Sequence, residues 1–115
     1  MPLHRWGEIP KENLTPQLAR QMIHTESMTI ARLELRKGAI VPEHKHHNEQ
    51  VTTIQSGKLR FILKGEEIIV GPGESLHIPR NAPHSAEALE DCIAVDVFSP
   101  PREDWIRGDD AYLRK

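Results

Sequence analysis

Gly38-Ala-Ile-Val-Pro-Glu-His44-Lys-His46-His-Asn-Glu-Gln50, closed by Gly57, is the stretch on which the reading of this chain turns. It reads as a turn running into a strand. On a strand, side chains at i and i+2 share a face. His44 and His46 are therefore expected to aim two imidazoles at one point, as a divalent metal requires. Gln50 is a further even step away, and its amide oxygen is a candidate ligand. Glu49 beside it is a competing one. A later segment, Gly73-x5-Pro79-x-Asn81-x2-His84-x3-Ala88, supplies a third imidazole, His84. The alternative is plain: His44, His46 and His47 lie in a polar stretch, and a solvated His-rich loop has the same composition. His47 has the wrong parity for the shared face and is expected at the surface with His4, His24 and Lys45. His77 is expected to be structural or to line a cavity wall.

Outward from these segments, the chain reads as strands. Apolar or alternating runs occupy 17–23, 28–35, 51–55, 58–64, 67–70, 75–78, 85–88 and 92–98. Ser56-Gly57 and Gly65 read as hairpin turns. Gly71-Pro-Gly73 reads as another turn, because Pro fixes φ and Gly supplies positive φ. Many short strands with this punctuation predict an all-β sandwich or barrel. After Ser99-Pro-Pro101, residues 102–107 are expected to form a short helical turn with Ser99 as its cap. Trp6 and Trp105 lie outside the strands and are expected to pack over barrel ends or a partner subunit. Arg32 and Glu34 are expected on a solvated face. Arg60 alternates away from Leu59, Phe61 and Leu63, yet would reach the cavity if both faces were enclosed.

Composition bounds the rest. The 115 residues predict one domain, 1–115, with a core large enough to need no disulfide. The lone Cys92 fits a reducing compartment, and no apolar run suits a signal peptide or a membrane span, so a cytoplasmic protein is expected. Net charge is −2 with mixed signs, which argues against nucleic acid as a partner.

The strand Cys92-Ile-Ala-Val-Asp96-Val-Phe98 puts Ile93, Val95 and Val97 on one face and Ala94, Asp96 and Phe98 on the other. Asp has poor β propensity. Either Asp96 and Phe98 look outward, or both faces are covered and they line a cavity near the metal.

The two spaced segments, with fifteen residues between Gly57 and Gly73, resemble the paired motifs of the cupin superfamily. The resemblance implies an all-β double-stranded β-helix, a jelly-roll barrel, holding a metal inside. Three positions depart from the usual pattern. Gln50 stands where Glu is usual, Ala88 where Asn is usual, and Asn81 where Gly is usual; Asn is the next best residue for a left-handed backbone. The ending Asp96-x-Phe98-Ser-Pro-x-Arg102 further resembles the small single-domain cupins of pectin and alginate breakdown, the uronate ring-opening proteins of the KdgF type. The likeness runs from Trp6 to Arg102. It implies a divalent transition metal (Ni, Fe, Mn or Zn) on His44, His46, Gln50 and His84. It also implies active-site roles for Asp96, Phe98 and Arg102, and a homodimer.

Neutral ligands leave such a metal its full +2 charge, a strong Lewis acid for an anionic oxygen. Arg102 offers a fork suited to a carboxylate, and Asp96 a proton shuttle. These parts suit an acidic sugar, a 4,5-unsaturated uronate opened to its linear keto form. The rival expectations are a metal-dependent dioxygenase or other small-molecule lyase, and a non-enzymatic sugar- or acid-binding cupin.

Overall fold

A computed structural model describes residues Met1–Lys115. Ten strands follow in chain order. They are β1 (Glu12–Thr15), β2 (Leu18–His24), β3 (Thr29–Leu35), β4 (Ile40–His44), β5 (Glu49–Ser56), β6 (Leu59–Leu63), β7 (Glu66–Val70), β8 (Ser75–Ile78), β9 (His84–Ala88) and β10 (Cys92–Ser99). Every pairing is antiparallel. One sheet has the order β1-β2-β3-β10-β5-β8 and the other β4-β9-β6-β7. The two sheets face each other across a shared apolar core as an all-β jelly roll, and one short helix, α1 (Glu103–Ile106), follows the last strand. No helix is long and apolar enough to cross a membrane.

The expected strands are present, with ends shifted by a residue or two. β1 was not expected, because Glu12-Asn-Leu-Thr15 lacks any apolar alternation; it forms by pairing on β2 through a bulge. Two turn positions explain their residues. Gly57 has φ +79°, and an added Cβ would lie 2.1 Å from the Asp91 carbonyl oxygen. Asn81 adopts φ +61°, the left-handed conformation expected of it.

The inner faces are graded along the barrel. In the β5–β10 register, Ile54 faces Ala94, Thr52 faces Asp96 and Gln50 faces Phe98. On the other sheet Ala88 pairs with Leu59, Ala86 with Phe61 and His84 with Leu63. The apolar end is closed by side chains such as Leu18, Leu35 and Leu59, all buried. Burying one such Leu or Ile contributes about 1.5–3 kcal/mol. The opposite end carries the polar side chains, so the site lies in one mouth of the barrel.

Two expectations are corrected, and for Arg60 the alternative to its alternation is excluded. β4 ends at His44, and His46 lies in the loop beyond it. Pro42 removes a ladder donor, and the β4–β9 register slips between Val41 and His44 on this edge strand. Ser99 does not cap the helix. It ends β10, its hydroxyl donates to the Ser27 carbonyl at 2.9 Å, and α1 starts after Arg102 with no side-chain cap. Arg60 does not reach the cavity; it pairs outside with Glu67 and Glu87.

Candidate metal centre

The sequence placed two histidines on one strand, but the convergence has another origin. His44 is the last residue of β4, and its register partner across the sheet is His84, the first residue of β9. His46 folds back from the loop. Its ring centroid lies 5.5 Å from that of His44 and 5.1 Å from that of His84. One ring nitrogen from each of the three lies within 4.8 Å of the others, so the three could hold a metal ion.

The ring tautomers follow from the backbone. The Nδ1 atoms of His44, His46 and His84 lie 2.8, 3.0 and 2.8 Å from the carbonyl oxygens of Pro42, Asn48 and Ala82. A carbonyl only accepts, so each Nδ1–H donates and each Nε2 keeps a bare lone pair. This carbonyl–imidazole arrangement is the one that orients metal-binding histidines. Burial pushes His44 and His46 down to about 4 and lowers His84 as well, so all three rings are neutral at pH 7.

Two observations test whether a cation fits. His84 Nε2 is buried without a hydrogen-bond partner. Gln50, buried at the start of β5, turns its Oε1 toward His46 Nε2 at 3.1 Å. Two lone pairs facing at that distance repel unless a cation sits beside both. The residues fit a divalent metal, and uncharged nitrogen and amide-oxygen donors suit a transition metal.

Glu49 takes a different place. Its side chain lies on the outer face, where the carboxylate meets His77 Nε2 at 2.7 Å with both groups about half exposed. It does not compete with Gln50, and His77 does not line the cavity. His4, His24, Lys45 and His47 are exposed.

Asp96 and Phe98 point inward, which excludes the outward alternative. Asp96 is 5% exposed and accepts a hydrogen bond from Thr52 Oγ1 at 2.6 Å. Burial raises its carboxyl to about 6. Phe98 stands edge-on to His46 and to Trp105, at 5.6 and 5.1 Å. Arg102 is buried against the Phe98 and Trp105 rings. It donates to both Asp104 oxygens at 3.0 and 2.8 Å and to the Tyr112 hydroxyl at 3.0 Å, while its Nη1 has no partner. His44, Gln50, His84, Asp96, Phe98 and Arg102 line one cavity of about 40 Å³.

Four residues of this site were not legible beforehand. Asn48 donates to the carbonyls of Pro100 and Pro101 at 2.6 and 3.1 Å and so ties the ligand loop to the exit of β10. Thr52 bridges Gln50 and Asp96. Tyr112 packs on His44 at 4.8 Å, and Leu113 lines the cavity beside it. Asn48 and Thr52 lie two residues either side of Gln50, and same-face parity was the one signal available for Thr52. Nothing local marks Tyr112 or Leu113.

No curated protein matches this chain. Among solved structures it resembles KdgF from Halomonas sp., with TM-score 0.81, 28% identity, and coverage of 86% of this chain and 93% of that one. It also resembles an RmlC-like cupin from Shewanella frigidimarina, with TM-score 0.83, 26% identity, and coverage of 89% and 93%. The polyketide cyclase RemF from Streptomyces resistomycificus shares the fold at TM-score 0.74 and 19% identity, with coverage of 86% and 79%. The model of the Cupin domain matches residues 31–98, more than half of the sequence, and the chain therefore belongs to the cupin family.

Proposed function

We propose that this cupin is a metal-dependent enzyme that opens a 4,5-unsaturated uronate to its linear keto form. One observation carries the reading. His44, His84, a buried carboxyl and a buried guanidinium with an unmet N–H line one cavity, and the His46 imidazole converges with the other two at its edge. The likeness to KdgF supports the substrate class.

His44, His46, Gln50 and His84 would hold the ion. A divalent transition metal bound there supplies a Lewis acid for an anionic carboxylate or enolate oxygen. Arg102 pairs through its free Nη1 with the substrate carboxylate. Phe98 keeps water off that contact. Asp96 moves the proton. The anomeric hydroxyl loses a proton, the ring C–O bond breaks, and the former ring oxygen becomes an enol. The enol then becomes a ketone as the neighbouring alkene carbon gains a proton. Nothing is oxidised and no atom is lost, so a single carboxyl that gives back what it takes is sufficient. Titration near pH 6 suits that exchange.

The mostly apolar lining favours a second reading, a small-molecule binder without turnover. We also propose that the protein works as a homodimer, with Val51 and Val97 in the contact. They are exposed register partners on the outer face of β5 and β10.

The test is to load the purified protein with Mn, Fe, Ni or Zn, add unsaturated galacturonate and follow the ultraviolet loss of its conjugated double bond. Asp96→Asn at saturating metal is expected to slow turnover by about 10²–10⁴-fold with the ion still bound. Full activity in that variant removes Asp96 from the reaction. Tight uronate binding with no spectral loss under any metal establishes the binder instead.

A further inference from the structure

Thr52 sits on the inner face of β5, 1% exposed, between Gln50 and Asp96. Its hydroxyl has one proton to give. A carboxylate only accepts, so the 2.6 Å contact to Asp96 Oδ1 takes that proton. The Thr52 oxygen must then accept at its other contact, 2.9 Å from Gln50. Only the Nε2 end of the Gln50 amide can donate there. The amide oxygen is thereby turned the other way, toward His46 Nε2 at 3.1 Å.

We infer that Thr52 is a positioning residue of the metal centre: by giving its proton to Asp96 it fixes the Gln50 amide with oxygen, not nitrogen, facing the three imidazoles. An amide has a right and a wrong face for a cation, and a carboxylate does not. A glutamine ligand needs a group that tells its ends apart, and on this chain the Asp96–Thr52 pair is that group. Asp96 thus acts on the centre through Thr52, apart from any proton it moves. The inference deepens the proposed function and rests on its metal centre alone, not on the substrate.

The experiment measures Co²⁺ and Mn²⁺ affinity of the apo protein by competition with a chelating dye, and the visible spectrum of the Co²⁺ form. Thr52→Val keeps the shape and the β-branch but removes the hydroxyl. It is expected to weaken both ions by about 10–100-fold, the usual cost of losing a ligand's orienting partner, and to change the Co²⁺ bands. Thr52→Ser is expected to restore affinity to within about twofold and the wild-type spectrum, since it keeps the same donor. In a Gln50→Glu background, where either oxygen serves, Thr52→Val is expected to cost less than about threefold. Thr52→Ala replaces Thr52→Val if the latter does not fold. Equal affinity in Thr52→Val and wild type overturns the inference. So does a serine variant that behaves like valine, or the same loss in both backgrounds. A wild-type protein that takes up neither ion overturns the metal centre itself, and the Thr52 role with it.

Discussion

Two clusters of buried polar side chains meet in this barrel mouth, and they are satisfied in opposite ways. In the first, three imidazole nitrogens and an amide oxygen converge as acceptors with no donor among them. In the second, the C-terminal segment brings charges that are already paired. Arg20 and Asp110, each 1% exposed, meet at 2.7 Å, and Arg114 adds a second contact to Asp110 at 2.9 Å. The Arg20 and Arg102 guanidiniums each lie over the Trp105 ring, 4.7 and 3.9 Å from its centroid. Removal from water therefore means different things in the two. Met charges hold a segment in place, whereas unmet lone pairs are strain that only a ligand relieves. Arg102 belongs to both clusters. Two of its nitrogens are tied to Asp104 and Tyr112, and the third, Nη1, is buried without a partner.

The contrast can be broken most severely at Asp110. Asp110→Ala leaves Arg20 buried with only its longer contacts to Glu12, at 3.3 and 3.4 Å. Chemical denaturation is expected to show a loss of about 3 kcal/mol, the lower end for breaking a buried pair. If the contrast is right, metal affinity of the folded fraction stays near wild type. His84→Ala should do the reverse. Calorimetric titration should show metal affinity falling by more than the roughly 100-fold that an orienting partner can cost, with little loss of apo stability.

Acid separates the clusters further. The folded-state values of His44 and His46, about 4, lie below their ordinary 6.5. The folded protein thus resists protonation that the unfolded chain accepts. Apo stability is full above pH 6.5 and declines as pH falls from there toward about 4. Thermal melts across that window should show the decline, and added metal should cease to raise the melting temperature over the same range. Asp110, held below the usual carboxylate range by Arg114 and Arg20, keeps its pairing to lower pH. The smallest effect belongs to Glu49→Gln. Its exposed pairing with His77 is expected to contribute about 0–1 kcal/mol. An unchanged metal affinity would separate Glu49 from Gln50.

Much of this was legible in residue order. Alternation in Cys92–Ser99 and the Gly–Pro turns announced short antiparallel strands, and the glycine-framed histidines announced a shared centre. Yet the i, i+2 argument reached the right residues for an incomplete reason. Pro42 ends the ladder near His44, so His46 converges from a loop held by Asn48 and the Pro100–Pro101 carbonyls. Parity is informative only while a strand lasts. Parity also left Asp96 undecided, because a covered face and an open face give the same alternation.

Local order, then, determined the strands, the turns and the imidazoles, because backbone geometry and side-chain chemistry act over a few residues. Which face of β10 is inside, which end of the Gln50 amide meets the centre, and which distant residues close it were decided by the tertiary structure. Thr52, Asp96, Tyr112 and Leu113 meet the ligands only after the two sheets have packed, and contacts across that packing leave no periodic trace in the chain.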